Sequence, residues 1–356
     1  MGFAPDSTER LARARADLRM GVPVVVAGAG VILAAETLQP DRLAVLRDLG
    51  AAVAITDWRA QTLKVAAYDG DIARIVIPAD AGAAWVRALA DPADDLRSPM
   101  KGPLRALRDG AADLARAAVA LCKSARLLPA AVIAPLDDAA AFAAEHGLTV
   151  IDGTAARATD LSPLHGVVSA RLPMSVSEAG RLHVFRPADG GEEHYAVEIG
   201  QPDRSQPVLA RLHSACFTGD LLGSLKCDCG PQLRAALGQM GAEGHGVLLY
   251  LNQEGRGIGL ANKMRAYQLQ DQGFDTVEAN HRLGFHDDER DFRIGAAILR
   301  QMGFGAVRLL TNNPAKIARM EASGIAVVER VPLKVGENVH NHAYLATKAA
   351  KSGHLL

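Results

Sequence analysis

Three cysteines in the pattern C-x10-C-x-C, at Cys216, Cys227 and Cys229, constrain this chain more than any other feature. A loop that returns three thiols to one point offers a soft divalent cation three thiolates. A structural zinc site closes its tetrahedron with a fourth protein ligand, and His213 or a more distant His is the candidate. A catalytic site leaves that position to water, whose pKa zinc lowers toward ~7, although three thiolates blunt the effect. We expect the open site, with zinc on three cysteines and water at the fourth position. A nucleic-acid zinc ribbon would need a second C-x2-C pair and a basic surface. Neither is present, since Lys+Arg 39 stands against Asp+Glu 40. The fourth cysteine, Cys122, lies on an apolar helical stripe with Leu114, Ala118, Leu121 and Ala125 and reads as a small hydrophobe.

The chain has 356 residues, which suggests two domains. Hydrophobic residues at 49% and charged residues at 22% describe a globular protein, not a disordered one. The net charge of -1 argues against general attraction to nucleic acid or a membrane surface. Aromatics at 4% advertise no stacking surface for single strands. No apolar run reaches the ~18 residues of a membrane span. The N-terminal sequence MGFAPDSTERLARARADLRMG is charged throughout, so a cytoplasmic protein is expected.

The first ~165 residues have an α/β texture. Residues 24–26 and 75–77 are β-branched runs suited to buried strands. Residues 130–134, 139–146 and 148–151 read as strand, helix and strand, with Gly147 ending the helix. Gly28-Ala29-Gly30 invites a dinucleotide reading, but Leu33 occupies the place of the third glycine, so a turn between strands is expected. We place the domain boundary at 168/169, giving an N-terminal domain 1–168 and a C-terminal domain 169–356. Arg186-Pro187-Ala188-Asp189-Gly190-Gly191 signals a hairpin. Residues 247–251 and 307–310 read as buried strands, and a helix follows Pro231. Thr311-Asn312-Asn313-Pro314 reads as strand end, N-cap and Pro at N1, with Gly324 closing the helix.

Polar loops flank the cysteines. Arg211, His213 and Ser214 are donors just before Cys216. Asn252-Gln253-Glu254-Gly255-Arg256-Gly257-Ile258-Gly259 follows the strand at 247–251, and its glycines let backbone N–H groups approach an anion while Arg256 adds a bidentate fork. Alone, such a loop is a weak signal. Asp287-Asp288-Glu289-Arg290-Asp291 reads either as a solvated helix start or, beside His281 and His286, as part of a site. Lys316 sits in a first helical turn, where a phosphate would gain from both lysine and dipole.

From about residue 205 onward the chain resembles GTP cyclohydrolase II. The strings that carry the likeness are HSACFTGDLLGSLKCDCGPQL, NQEGRGIGLANKMRAYQLQDQGFDTVEANHRLGF, DDERDF, RLLTNNPAKI and TKAAKSGHLL. The resemblance implies a mixed sheet with flanking helices and a zinc site at Cys216, Cys227 and Cys229. It implies that GTP loses C8 as formate and its β,γ-phosphates as pyrophosphate, in riboflavin synthesis, with Mg²⁺ on the triphosphate. Asp288 then falls on the proton acceptor, Arg290 on a nucleophile toward the α-phosphorus, and Tyr267 on the ring-opening site. GTP-binding positions fall on Arg211, Leu212, His213, Ser214, Ala215, Gln232, Glu254, Gly255, Arg256, Thr276, Thr311 and Lys316. A guanidinium pKa above ~12 also leaves room for Arg290 as a charge stabiliser only. Ala215 departs from the pattern, where an acid is common. The family suggests a homodimer.

In the N-terminal part, Leu18-Arg19-Met20-Gly21-Val22-Pro23-Val24-Val25-Val26 faintly resembles the opening strand of 3,4-dihydroxy-2-butanone 4-phosphate synthase, which implies a degenerate domain of that kind. Residues 27–35 hold no carboxylate for a hard cation, and Glu36 is the first acid. A catalytically silent domain, kept for packing or dimer formation, is the expectation. Two other functions stay open: a same-fold paralogue in pyrimidine breakdown, and a non-catalytic zinc-stabilised GTP-binding protein.

Overall fold

The computed structural model describes residues 2–97, 99–158, 160–353 and 355. Two compact units form, and neither follows chain order. The first comprises Met1–Asp160 with Ile258–Glu289, the second Leu161–Gly257 with Arg290–Leu356. A single cut at 168/169 is a division along the chain; the second crossing and return, at 257/258 and 289/290, has no composition signal.

Six strands build the sheet of the first unit: β1 (Val24–Val26), β2 (Gly30–Ala34), β3 (Ala52–Thr56), β4 (Ile72–Val76), β5 (Ala130–Pro135) and β6 (Thr149–Ile151), in the order β4-β3-β5-β2-β1-β6. Only the β1–β6 pair is parallel. Alternate residues enter two different cores. Val25, Val31, Leu33, Val53 and Ile55 lie in one cluster, while Val24, Val26, Ile32, Ala34 and Ala54 lie in the other. Both faces are therefore covered, which is why these strands read as unbroken apolar runs. Gly28 and Ala29 lie in the turn of the β1–β2 hairpin and Gly30 opens β2: Ala29 N donates to Val26 O at 3.1 Å, and Gly28 takes a φ of 66°. The helix Asp113–Ser124 buries the stripe that includes Cys122, whose thiol burial pushes up. The helix Ala139–His146 starts at an Asp138 cap and ends at a left-handed Gly147.

The second unit has seven strands: β7 (Leu164–Arg171), β8 (Gly180–Pro187), β9 (His194–Ile199), β10 (Val208–Ser214), β11 (Gly246–Leu251), β12 (Ala306–Leu310) and β13 (Ala326–Val331), ordered β13-β12-β10-β11-β9-β8-β7. The β8–β9 connection is the hairpin read at residues 186–191. Strands β13, β12, β10 and β11 run parallel, and β9, β8 and β7 complete the sheet antiparallel. Helices Cys229–Glu243 and Pro314–Ala322 flank it, the latter with Asn313 accepting from Ala315 N and Pro314 at N1. Each half is thus a mixed α/β assembly. Among the described residues no helix is long and apolar enough to cross a membrane. Of the terminal string TKAAKSGHLL, His354 and Leu356 lie outside the described residues.

Candidate metal and nucleotide site

Parallel pairing puts the C-terminal ends of β10, β11 and β12 along one edge. Crevices beyond such ends are where open α/β sheets bind ligands. Ser214 ends β10 and Cys216 follows; Asn252, Gln253 and Glu254 follow β11; Thr311, Asn313 and Lys316 follow β12.

The sulfurs of Cys216, Cys227 and Cys229 converge, all within 4.8 Å of one another. Cys216 Sγ lies 3.7 Å from Cys227 Sγ. Hydrogen bonding with Cys216 and burial push the Cys227 thiol up to about 11, and crowding by its two neighbours pushes Cys229 well above its ordinary value. Three thiols so placed resist ionising together unless a cation shares their charge. The cradle is shaped for sulfur: a Cβ on Gly219 would sit 2.7 Å from Cys227 Sγ and 3.0 Å from Cys216 Sγ. Donor set and shape therefore fit a soft divalent metal. Among the described residues, no His, Asp or Glu joins this cluster, and no other cluster of its kind occurs.

His213 is occupied elsewhere. Its Nε2 is 3.0 Å from both oxygens of Asp220, and burial pulls the imidazole down, toward the neutral form. Asp220 also accepts from Cys216 N and Tyr250 O–H, each at 3.0 Å. Burial and the Asp220 charge push the Tyr250 phenol up. One carboxylate thus ties strand β10, strand β11 and the first cysteine together. Sequence reasoning missed Asp220 and Tyr250; the TGD string shortly after Cys216 was the only signal for the former.

The sequence-derived nucleotide positions in this unit divide by role. Arg211 is buried on β10, donates from Nη1 to Leu310 O at 2.9 Å and from Nη2 to Gln232 Oε1, and keeps its Nε without a protein hydrogen-bond partner. Burial pulls its pKa down to about 10, with Asp228 the main opposing charge. Gln232 in turn donates to Asp228 at 2.5 Å. Lys316 is buried, donating from Nζ to Leu212 O at 3.1 Å. Arg290, Lys316 and Arg319 all face the ring of Phe292, at 5.0, 5.4 and 5.0 Å from its centroid. Arg290 Nη1 reaches Ser214 Oγ at 3.4 Å. These residues share one edge.

Others take structural positions. The Leu212 side chain belongs to the core, and Ala215 N donates to Leu251 O at 2.8 Å. Glu254 accepts from Phe217 N at 2.6 Å and from Gly255 N at 2.9 Å, so it ties its own loop to the segment just after Cys216. Gly255 and Arg256 both adopt left-handed φ, 63° and 61°, in a turn that only the first of them takes without strain. Thr311 is buried, and its Oγ1 accepts from Asn313 N at 3.0 Å.

Tyr267, Thr276 and Asp288 belong to the first unit. Tyr267 lies on the helix Leu260–Asp271, with Lys263 Nζ 5.7 Å from its ring. Thr276 opens the helix Thr276–Leu283 and accepts from Gln270 at 3.2 Å. Asp288 precedes the helix Arg293–Gln301 without being part of it. Glu36, the first acid after β2, is spoken for: it meets Arg265 at 2.9 Å and accepts from Leu128 N at 2.9 Å.

Three cysteines that could hold a metal thus share the second unit with the buried cations Arg211 and Lys316. Comparison with known proteins narrows the class. The family profile described as GTP cyclohydrolase II matches residues 165–332. GTP cyclohydrolase-2 of Azospirillum brasilense is 46% identical over 362 residues, 96% of this chain and 93% of that one. GTP cyclohydrolase-2 of Azotobacter vinelandii is 59% identical over 190 residues, 53% of this chain and 91% of that one. A two-domain 3,4-dihydroxy-2-butanone 4-phosphate synthase from A. baumannii aligns at 16% identity with a TM-score of 0.31, covering 85% of this chain and 93% of that one. On the full-length likeness, the chain belongs to the GTP cyclohydrolase II family.

Proposed function

We propose that this chain hydrolyses GTP to formate, pyrophosphate and 2,5-diamino-6-(5-phospho-D-ribosylamino)pyrimidin-4(3H)-one, the first committed step of riboflavin biosynthesis. The observation that carries the reading is the convergence of three thiols at the same strand edge as the buried cations Arg211 and Lys316, in a chain 46% identical along its length to a protein named GTP cyclohydrolase-2.

Cys216, Cys227 and Cys229 hold zinc. When bound, the metal supplies Lewis acidity and an acidified water suited to attack on an electron-poor carbon such as purine C8. Arg211, Lys316 and Arg290 take the phosphate oxygens, the first of them through its unpartnered Nε. The Gly255–Arg256 turn, with Gln232, Ser214 and Thr311, completes the nucleotide contacts, and Mg²⁺ accompanies the triphosphate. Asp288 takes up a proton and Tyr267 serves the ring opening. Arg290 stabilises charge on the α-phosphate; a phosphoramidate trapped on it by rapid quench would make it a nucleophile instead. The working form is a homodimer, and the exposed edge strand β7, with Val167 and Val168 outward, is in keeping with a partner.

Incubation of the purified full chain with GTP and Mg²⁺ tests the proposal. Formate release with loss of the purine absorbance, abolished by a chelator, is expected. GTP binding without turnover would replace this reading with that of a GTP-binding protein. Light scattering reports the oligomer.

A further inference from the structure

Residues 258–289 are packed into the first unit. Ile258, Ala266, Leu269, Ala279, Leu283 and Phe285 share one buried core with Val53, Ile55 and Leu128. Arg265 spans Glu36 and Asp91, at 2.9 Å each, and buried Asn262 donates to Arg126 O at 3.1 Å. At Gly284 the approach is so close that a Cβ would lie 2.7 Å from Thr56 Oγ1 and 2.8 Å from Pro129 Cγ.

Further contacts flank Asp288. Asn280, buried, donates to the carbonyls of His286 and Asp287, both at 3.3 Å. His281 Nε2 meets Asp287 Oδ1 at 2.7 Å, and the ring of Trp58 stacks on His281 at 3.7 Å and 10°. Trp58 Nε1 also donates to His286 Nδ1 at 3.3 Å. On the other side, Lys123 Nζ meets Glu289 Oε1 at 2.7 Å, and that oxygen accepts from His286 N at 3.0 Å. Both sequence neighbours of Asp288 are therefore held through contacts that end on Trp58 and Lys123, side chains of the N-terminal half.

We infer that Trp58 and Lys123 are positioning residues for Asp288, and that the N-terminal half serves the reaction as the mould for the loop that carries it. The inference rests on the reading of Asp288 as proton acceptor. A partly exposed ion pair such as Lys123–Glu289 adds little to folding stability, because water screens it and ordering two long side chains costs entropy. A displacement of about 1 Å at a reacting group, by contrast, costs up to about a hundredfold in rate. Rate and not stability is thus where Lys123 is felt.

The test uses the full chain as Lys123→Met and Trp58→Ala, with Lys123→Arg and Trp58→Phe as conservative variants. Turnover of GTP, melting temperature and amide hydrogen exchange of residues 285–290 are followed together. For Lys123→Met we expect kcat to fall about tenfold, KM for GTP to stay within about twofold, exchange at 285–290 to quicken about tenfold, and melting to move by less than about 2 °C. Lys123→Arg recovers most of kcat. Parental exchange in Lys123→Met overturns the inference, as does faster exchange with parental kcat. Should Trp58→Ala not fold, Lys123→Met removes no core atom and decides alone. A parent chain that releases no formate sinks the proposed activity, and exchange at 285–290 still decides whether these anchors hold the loop.

Discussion

Strand β2 in the first sheet is wholly apolar and strand β10 in the second carries Arg211, His213 and Ser214, yet both are almost wholly buried. Their neighbours run differently. Both neighbours of β2 are antiparallel to it, so chain ends alternate between the two edges of the sheet. Both neighbours of β10 are parallel, so three loops start at the same edge. The second arrangement gathers Cys216, Glu254 and Lys316 from distant parts of the sequence. Among the described residues the first gathers no comparable set of metal-ligating side chains; there buried Arg59 holds Asp95 at 2.6 and 2.9 Å, and Lys101 joins them. On the proposed reading, polar residues at the second edge carry chemistry, while Arg59, Asp95 and Lys101 in the first half pair with one another.

The sharpest way to break this contrast is Cys227→Ser. Replacing one thiolate by a hydroxyl should strip the metal and lower formate release by at least about a thousandfold, read by elemental analysis and formate assay. Full metal content in that variant would remove the second edge from consideration. Asp220→Asn comes next. It weakens the bond to His213 and the brace on Cys216 N, so metal affinity should drop about 10–100-fold in a chelator competition while the three cysteines remain.

Asp95→Asn has the smallest effect on the metal site, with none expected, and costs about 3 kcal/mol in denaturant unfolding. Burial alone would raise this carboxyl; the hydrogen bonds from Arg59 and Lys101 outweigh it and hold it below its ordinary value. A depressed carboxyl contributes stability above its unfolded pKa of about 3.9 and loses it as pH falls through the lower folded value. The gap between parent and Asp95→Asn should therefore be constant near neutrality and close below about pH 4. Metal loss in this variant would erase the distinction between the two regions.

The family likeness also separates the two regions. Relatives such as the Azotobacter vinelandii protein match 53% of this chain while 91% of their own length is covered. The matched family region, 165–332, nevertheless includes the segment 258–289 that packs into the first unit. A boundary drawn from sequence likeness and one drawn from packing need not coincide, because the former follows ancestry and the latter follows buried surface.

Much was legible in the residues themselves. The Val24–Val26 run, the Asp138 cap with Gly147, and the Asn313-Pro314 start are local signals, decided within a few residues by backbone sterics and hydrogen bonding. The three cysteines announced their convergence because only a metal-binding loop explains that spacing economically. Tertiary structure alone decided that Asp220 serves His213, Cys216 and Tyr250 at once, that Glu254 braces Phe217, and that residues 258–289 join the N-terminal half. Those outcomes depend on which distant strands become neighbours, and no periodicity within a window of the chain encodes that choice.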